Sequence, residues 1–462
     1  MLTRRSVAAA LAAPLLKSAP AETRPNVLLL HCHDLGQHLN CYGVKSVQSP
    51  NLDRLASEGV LFENHFCTAP QCSPSRASIF TGRYPHSNGV MGLTHADFAW
   101  DLNPGERHLA QILSDAGYAT AGVGVLHETR SGFKRCGFTD YDPPTAAVEM
   151  ADAVIARLKK FSESSVDKPF YLQAGCIEPH RLARADRNAD QDFLGVRLQA
   201  DTSRGIVVPP YLRDTSGTRA ELAELQGAIR HMDEQMGRVL AAVREMGLEQ
   251  TTLVIFTTDH GIAMPRAKCA VYDPGVRTSF LVRYPSREGW HGGRRFKQMV
   301  QNIDCLPTVL ELVGVPVPAN VQGWSLAPLL DGRAHTSRDR LFFELTYHDY
   351  YDPRRCVRTE THKLIVNFSS APAFMDPSQS WRPRADTVVP ANHALAYHPP
   401  YELFDLRTDP WEQKDLAASN PPVLQDLRTH LMQHLTSTQD PILNGAVTPP
   451  LHKRSLAWLA GV

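Results

Sequence analysis

Short apolar runs alternate with segments of helical periodicity over the first 335 residues, and this alternation limits the possible folds more than any other feature. Apolar runs bounded by polar residues predict buried strands at 26–32, 119–123, 169–174, 252–257 and 279–283. Amphipathic patterns predict helices at 51–58, 75–81, 106–116, 146–161 and 219–246. Strands separated by helices indicate an α/β fold with a large, mostly parallel sheet that helices cover on both faces.

The pattern changes after about residue 335, where aromatic and polar residues replace the regular alternation. Short strand-like pieces occur at 356–358 and 363–367, residues 370–400 have the composition of a long loop, and 423–435 has helical periodicity. We therefore predict a large α/β domain over residues 22–335. A smaller C-terminal α+β subdomain, with a small antiparallel sheet and a helix, is predicted over residues 336–462.

The first 21 residues have the features of an export signal. Arg4 and Arg5 precede the apolar stretch 7–16, and A-P-A at 19–21 fits a signal-peptidase site. T-R-R-S-V at 3–7 is similar to a twin-arginine signal, with an ordinary Sec signal or a frayed N-terminus as alternatives. We expect a periplasmic or secreted protein. No apolar run reaches the ~18–20 residues that a transmembrane anchor needs.

The charge balance argues against a nucleic-acid partner. The chain carries 48 basic and 48 acidic side chains, and removal of residues 1–21 would take away Arg4, Arg5 and Lys17 but no acid. The formal charge would then fall by three, from 0 to −3. A protein without net positive charge does not attract polyanions over long distances.

The sharpest motif is C-S-P-S-R at 72–76, which continues as A-S-I-F-T-G at 77–82. Cys72 stands at the start of a predicted helix, where free N–H groups and the positive end of the helix dipole favour a bound anion. The nine cysteines include no C-x-x-C pair, so zinc-finger spacing is absent and disulfide pairing stays open. For Cys72 taken alone, the alternative is a buried cysteine before a helix that proline initiates.

Two pairs of histidine and aspartate follow predicted strands. His33 and Asp34 come after strand 26–32, and Asp259 and His260 come after strand 252–257. Functional groups gather at the carboxyl ends of strands in α/β sheets, so the two pairs can meet around one metal ion. For an isolated His-Asp pair, the alternative is a hydrogen-bonded turn.

Three further groups stand at positions suited to chemistry. His127 ends G-V-L-H at 124–127, His180 lies in E-P-H-R after another strand, and Lys268 precedes the turn Y-D-P-G. The pKa of an imidazole lies near neutrality, so a histidine can give or take a proton at physiological pH. Taken singly, His180 and Lys268 could be ordinary solvated surface residues.

These blocks together resemble the type I, formylglycine-dependent sulfatases of the alkaline-phosphatase-like superfamily. The stretches 72–93, 178–181 and 259–262 are most similar to N-sulfoglucosamine sulfohydrolases, the sulfamidases, within that family. The resemblance implies that a formylglycine-generating enzyme converts Cys72 to formylglycine. One hydroxyl of the hydrated aldehyde would attack sulfur, and the other would later expel the sulfate.

The resemblance also implies roles for the neighbouring residues. Arg76 would hold the diol or its loop, His127 and Lys268 would bind the sulfate, and His180 would protonate the leaving group. A divalent metal, calcium by family resemblance, would complete the site. The residues implied as its ligands are His33, Asp34, Cys72, Asp259 and His260.

Two positions depart from the family pattern. His33 stands where the family has an acid, and Val125 stands where it has a sulfate-binding lysine. Calcium prefers oxygen ligands, so a site with His33 and His260 makes Mn²⁺ or Zn²⁺ an alternative. His33 could also lie just outside the metal shell. Without this lysine the sulfate pocket has one cation fewer, and the sequence does not indicate which group replaces it.

The resemblance implies a sulfated carbohydrate substrate, in which the enzyme cleaves the N–S bond of N-sulfoglucosamine units as found in heparan sulfate. An O-sulfated sugar is the alternative. Rival functions are a phosphodiester or phosphonate hydrolase of the same superfamily and a non-catalytic protein that binds sulfated sugars. The sequence does not indicate the oligomeric state. Residues interpreted as substrate contacts are His95, Glu344, His348 and Arg355.

Overall fold

The computed structural model describes residues 24–163, 168–183, 191–370, 384–385, 387–388 and 397–461. The predicted export signal, residues 1–21, lies outside the described residues, as does most of the predicted loop 370–400. Among the residues that the structure describes, no helix has the length and apolar character needed to cross a membrane.

The described residues form twelve strands and twelve helices, besides short 3₁₀ turns. The strands are β1 (Asn26–Cys32), β2 (Val60–Phe66), β3 (Ala119–Gly124), β4 (Asp140–Asp142), β5 (Phe170–Gly175), β6 (Thr252–Thr258), β7 (Phe280–Arg283), β8 (Arg294–Gln301), β9 (Leu341–Tyr347), β10 (Tyr351–Arg358), β11 (His362–Asn367) and β12 (Tyr401–Asp405). The helices are α1 (Pro50–Glu58), α2 (Cys72–Thr81), α3 (Pro85–Asn88), α4 (Leu109–Asp115), α5 (Phe133–Cys136), α6 (Ala147–Ser162), α7 (Ser216–Glu245), α8 (Asp273–Val276), α9 (Cys305–Leu312), α10 (Ala327–Leu330), α11 (Pro422–Ser437) and α12 (Pro450–Leu459).

The large sheet has eight strands in the order β4-β3-β5-β1-β6-β7-β2-β8. Strands β3, β5, β1 and β6 run parallel to one another, whereas β7 is antiparallel to both of its neighbours. The central strand β1 pairs with β5 on one side and with β6 on the other. The mostly parallel α/β sheet that the sequence predicts is therefore confirmed.

Alternate side chains of β1 enter two different cores. Leu28 and Leu30 pack with apolar residues of α1, α6 and α7 on one face of the sheet. Val27 and Leu29 pack with residues of α2, α4 and α9 on the other face. Both sets are fully buried, as expected for a parallel strand that helices cover on both sides.

A second sheet of four antiparallel strands, in the order β12-β11-β10-β9, lies in the C-terminal part of the chain. One of its apolar clusters contains Phe66 and Val276 from the larger part, and a second cluster joins Ala77 and Trp100 to α11. One face of the small sheet therefore packs against the larger α/β part, and α11 covers the other face together with Ala77 and Trp100. This packing brings β9 and β10 close to the N-terminus of α2.

Candidate active site

The chemically active residues come together at the carboxyl edge of the large sheet. His33 and Asp34 follow β1, His127 follows β3, and Asp259 follows β6. The strands β3, β5, β1 and β6 are consecutive parallel neighbours in the sheet, so their carboxyl ends meet at one edge. Contacts among these side chains bring the four residues together in a single centre.

Cys72 is the first residue of α2 and is buried, with 2 % of its surface exposed. Its Sγ lies 3.3 Å from Nε2 of His260. Burial raises the pKa of the Cys72 thiol to about 12, so an unmodified cysteine here would be a protonated, weak nucleophile. The helix ends at Gly82, whose φ of 67° places it in the left-handed region that favours glycine.

Four side chains could hold a metal ion. Ligand atoms of His33, Asp34, Cys72 and Asp259 all lie within 4.8 Å of one another, and all four residues are buried. Nε2 of His33 has no hydrogen-bond partner among the described residues, and Oδ2 of Asp259 lies 3.1 Å from Nδ1 of His33 and 3.2 Å from the Arg76 guanidinium. Two carboxylates, an imidazole with a free buried nitrogen and a thiol suit a divalent cation, so these residues fit such an ion.

His260 adjoins this group without belonging to it. Its Nε2 lies 3.3 Å from Oδ1 of Asp34 and 3.7 Å from Oδ2 of Asp259. Burial lowers the pKa of His260 to about 4, so the ring is neutral near pH 7.

The backbone holds Asp34 in a strained conformation. Its φ is 50°, in the left-handed region that residues other than glycine seldom adopt. Its amide donates a hydrogen bond to Oδ1 of Asp259, at 3.0 Å, and thereby joins the ends of β1 and β6. Such strain is concentrated at functional sites, where the surrounding structure maintains it.

Lys268 supplies a buried positive charge. Its Nζ donates to both carboxylate oxygens of Asp34, at 3.0 and 2.9 Å, and lies 3.1 Å from Nε2 of His180. Burial alone would lower the pKa of Lys268, but the Asp34 charge outweighs burial and raises it. Burial likewise opposes ionisation of Asp34, yet Lys268 holds its pKa below the usual range. Both groups are therefore charged.

Residues at the end of β1 hold the guanidinium of Arg76 in place. Its guanidinium donates to Nδ1 of His31 at 2.7 Å and to the carbonyl of Cys32 at 3.1 Å. It also forms an ion pair with Oδ2 of Asp259 at 3.2 Å. The His31 ring fits only because residue 175 is glycine, since a Cβ at Gly175 would lie 1.9 Å from Cε1 of that ring.

His180 belongs to the loop that follows β5, and its ring contacts Lys268. Its Nδ1 is 2.6 Å from the carbonyl oxygen of Arg181. Burial, reinforced by the Lys268 charge, lowers the pKa of His180 to about 3. The loop is anchored because Arg181 pairs with Glu221 of α7 at 2.6 Å. The imidazole is thus neutral before substrate binds.

Two histidines, His95 and His127, contact each other beside the catalytic centre, where His127 also lies against His33. Val125 is buried, and Nδ1 of the exposed His95 lies 2.8 Å from Nε2 of His127. Burial, together with nearby His33 and His95, holds the pKa of His127 well below its usual value. His95 therefore lies at the outer side of the centre, in contact with one of its histidines.

The sequence analysis does not identify Glu128, whose side chain holds the backbone of His127 in place. Oε2 of Glu128 accepts a hydrogen bond from the His127 amide at 2.8 Å. The other oxygen accepts from Gln173 at 3.1 Å and lies 3.3 Å from Nε2 of His108. Glu128, Gln173 and His108 are all buried. A glutamate next to a histidine is common in sequence, so Glu128 carried no signal of its own.

Of the four residues interpreted as substrate contacts, the structure brings His95 into contact with the centre, through His127. Burial lowers the pKa of His95, and the charge of His348 adds to this effect. The interpretation of His348 as a substrate contact stays a prediction. Glu344 and Arg355 lie elsewhere, 3 % and 1 % exposed, in a cluster with Asp440 and His86. Their interpretation as substrate contacts stays a prediction, and their burial does not favour it.

Comparison with known proteins agrees with this geometry. A family model described as Sulfatase matches residues 25–315, and one described as N-sulphoglucosamine sulphohydrolase, C-terminal, matches residues 265–376. Human N-sulphoglucosamine sulphohydrolase is 29% identical, with 90% of this chain and 91% of that protein covered. Human arylsulfatase A is also 29% identical, with 92% and 89% covered.

Solved structures share the fold. A 2-O GAG sulfatase superposes with a TM-score of 0.68 at 22% identity, covering 92% of this chain and 95% of its own. A protein solved in complex with its substrate D-glucosamine-2-N,6-O-disulfate superposes with a TM-score of 0.64 at 18% identity, covering 90% and 98%. The chain belongs to the sulfatase family and is a sulfuric ester hydrolase similar to N-sulphoglucosamine sulphohydrolase.

Proposed function

We propose that this protein releases sulfate from N-sulfoglucosamine units of sulfated glycans, with Cys72 used as formylglycine and with a divalent metal at its side. The observation that carries the proposal is the position of Cys72. It is buried at a helix N-terminus, and its neighbours include Asp34, Asp259 and the cation Lys268.

The side chain of Cys72 is poorly suited to act unmodified, because burial keeps its thiol protonated near pH 7. Formylglycine, once hydrated, supplies two hydroxyls on one carbon, one to attack sulfur and one to release sulfate. The α2 N-terminus favours the negative charge that develops beside residue 72. Conversion requires a formylglycine-generating enzyme, which would act on the segment before it folds, because Cys72 is buried afterwards.

The ligands for the metal would be His33, Asp34, Asp259 and the modified residue 72, with His260 adjoining. A divalent cation would supply Lewis-acid polarisation of the sulfo group. The imidazole of His33 makes Mn²⁺ or Zn²⁺ alternatives to Ca²⁺. Lys268, which neutralises Asp34 in the structure, would turn toward a sulfate oxygen when a cation neutralises Asp34 instead.

Two histidines would handle protons and charge. An anionic sulfo group beside His180 opposes the effect of burial and raises the pKa of that ring, so His180 can protonate the departing amine. The His95–His127 pair would contact the sulfo oxygens or the sugar in place of the missing lysine. Glu128 fixes the backbone at His127 and so keeps this pair aligned.

The sugar assignment rests on relatives. Human N-sulphoglucosamine sulphohydrolase is similar over 90% of this chain, and the matching C-terminal family model covers β9 and β10. Ulvan-active sulfatase of Formosa agariphila is also similar, at 28% identity over 90% of this chain and 76% of its own, so ulvan is a competing glycan substrate beside O-sulfated sugars. An export signal at residues 1–21 would deliver the enzyme to such glycans outside the cytoplasm.

The test is sulfate release from a matched panel of glucosamine N-sulfate, glucosamine 6-O-sulfate and a phenyl phosphonate ester, with metal analysis of the purified protein. We expect the N-sulfate to have the highest kcat/KM and chelation of the metal to abolish turnover. Preference for the O-sulfate would overturn the substrate assignment, and preference for the phosphonate would overturn the sulfatase assignment. The Lys268→Ala variant serves as the control, because it should lower turnover of every sulfated compound.

A further inference from the structure

Arg181, the residue after His180, is a buried arginine that has no role of its own in the proposed reaction. Only 2 % of its surface is exposed, and its guanidinium lies 4.4 Å from the centre of the Phe193 ring. A buried charge is costly unless its donors find partners within the protein. The partners of Arg181 therefore show which parts of the site this residue connects.

The guanidinium of Arg181 joins two other segments to the loop of His180. Its Nε and Nη2 donate to the carbonyl oxygen of Ala263, at 3.0 and 2.9 Å, and its Nη1 donates to Oε1 of Glu221 at 2.6 Å. Ala263 belongs to the segment after β6 that carries Asp259. The loop of His180 is thus held at a fixed distance from the loop of a candidate metal ligand.

The main chain of Arg181 fixes the orientation of the His180 ring. Nδ1 of His180 lies 2.6 Å from the carbonyl oxygen of Arg181. A carbonyl oxygen can only accept, so Nδ1 carries the hydrogen and Nε2 faces Lys268, whose Nζ is 3.1 Å away. Nε2 is therefore the nitrogen that can pass a proton to a leaving group, and its direction depends on where residue 181 is held.

Glu221 extends this connection to the long segment between β11 and β12. Its Oε2 accepts from the amide of Ala385 at 2.9 Å. The close approach of the two segments requires glycine at residue 217, because a Cβ at Gly217 would lie 2.4 Å from the carbonyl oxygen of Arg384. Both carboxylate oxygens of Glu221 are thus engaged, and they hold Arg181 and Ala385 against α7.

We propose that Arg181, held by Glu221, is a positioning residue for proton transfer, which keeps Nε2 of His180 directed at the leaving group. The inference rests on the proposed function, in which His180 protonates the departing amine, and deepens it. As the S–N bond breaks, its electron pair stays on nitrogen and takes the proton from Nε2, while the hydrogen on Nδ1 stays bonded to the carbonyl of residue 181.

The contribution of such a residue depends on the leaving group. An amine needs a proton as it departs, whereas 4-nitrophenolate is a weak base and leaves without one. Misplacement of Nε2 should therefore slow the release of sulfate from a sulfamate and have little effect on an activated aryl ester. A contribution of Arg181 to stability alone would affect both substrates equally.

The experiment compares kcat for glucosamine N-sulfate with kcat for 4-nitrophenyl sulfate in enzyme that carries formylglycine. Arg181→Lys keeps the charge but loses the paired donors to Ala263, and should lower the first by about 10²-fold and the second by less than about threefold. The ratio of the two does not depend on the folded fraction. Glu221→Gln should lower the ratio by a smaller factor, and it carries the test if Arg181→Lys does not fold.

A double-mutant cycle with His180 separates positioning from stability. His180→Ala should lower kcat for glucosamine N-sulfate, and Arg181→Lys should have little further effect once His180 is absent. The control is Arg238→Lys, at an exposed arginine of α7 that pairs with Asp152, and it should leave the ratio of the two substrates unchanged. Equal losses on both substrates, or additive losses in the cycle, would overturn the inference.

The outcomes distinguish this inference from the proposed function. If His180→Ala lowers the ratio and Arg181→Lys does not, the positioning role fails and the proposed function stands. If the wild type releases sulfate from neither compound, the proposed function fails and the inference fails with it. If the wild type cleaves glucosamine 6-O-sulfate alone, the substrate assignment fails. The same cycle on that ester then tests Arg181, because an alkoxide also needs a proton.

Discussion

Two buried groups of charged side chains lie close to α2, and they are built differently. The catalytic group, at the ends of β1 and β6, has ligand atoms without hydrogen-bond partners among the described residues, and its Asp34 has a strained backbone. Its members are His33, Asp34, Cys72, Asp259 and Lys268.

The second group, which we term the β9–β10 group, has matched charges. Arg355 pairs with both carboxylate oxygens of Asp440, at 2.5 and 2.9 Å, and Glu344 accepts from the ring and the amide of His86. Arg355 and Glu344 face each other across β10 and β9. Its members are His86, Glu344, Arg355 and Asp440.

The difference shows how to separate a binding site from a structural network when both are buried and charged. In the β9–β10 group the acids meet partners within the protein, so the group connects α3, the small sheet and the segment after α11. In the catalytic group Nε2 of His33 has no hydrogen-bond partner among the described residues and lies with two carboxylates and Cys72, so the group can gain from an added cation. Changes in the β9–β10 group should affect stability, and changes in the catalytic group should affect turnover.

The largest expected effect is on turnover in Cys72→Ala. Loss of the nucleophile should reduce kcat by about 10⁴-fold or more, because no other side chain can supply the diol. The free energy of unfolding should change little by comparison. Sulfate release and urea denaturation measure the two effects, and Cys41→Ala, at a cysteine in neither group, should retain full activity.

The β9–β10 group should respond in the opposite way to loss of a charge. Arg355→Met leaves Asp440 buried without its partner and should lower the free energy of unfolding by about 3–5 kcal/mol. The double change Arg355→Met with Asp440→Leu should recover most of that loss. Urea denaturation measures both variants. A fall in kcat per folded molecule, measured beside it, would place Arg355 in the catalytic machinery after all.

The Lys268→Ala change tests whether an added cation completes the catalytic group. Lys268→Ala should lower kcat/KM by about 10²–10³-fold, since a cation that stabilises the sulfo group is removed. In the presence of chelator it should also destabilise the fold, because Asp34 stays buried and unpaired. Added Ca²⁺, Mn²⁺ or Zn²⁺ should raise the melting temperature more than in the wild type. Identical shifts in both proteins would contradict this.

The smallest expected effect is on the pH dependence of stability, and it arises from His65, whose pKa burial lowers. His65 is buried, packs on Phe280 and contacts Thr278, and burial lowers its pKa from 6.5 to about 3. The unfolded ring takes up a proton as pH falls below 6.5 and the folded ring does not, so stability decreases toward acid. The slope is about 1.4 kcal/mol per pH unit for this ring. His65→Gln should flatten the pH dependence of unfolding, whereas an unchanged slope would contradict the assigned cause.

Continuous apolar strands could be predicted from sequence, and polar ones could not. β1 was predicted with its observed bounds because N-V-L-L-L-H-C is buried on both faces. β2 and β8 were missed because Glu63 and Asn64 interrupt one and exposed arginine and lysine residues fill the other. The helix predicted over 106–116 begins at Leu109, since His108 caps it by accepting from Ala110.

Motif positions in the candidate site could be predicted, but the pairing of their side chains could not. His33, Asp34 and Asp259 were expected at strand ends and do lie there. The contact between Lys268 and Asp34 joins residues 234 positions apart, and no local pattern encodes it. Arg355 is likewise interpreted from sequence as a substrate contact, but it is buried and pairs with Asp440, which lies 85 positions away.

The most direct test of the central claim is the mass of the peptide that contains Cys72, taken from protein matured with a formylglycine-generating enzyme. We predict the aldehyde or its hydrate at residue 72, in a fraction of molecules that rises in proportion to specific activity across preparations. Full activity in a preparation whose peptide carries only the unmodified thiol would contradict the central claim.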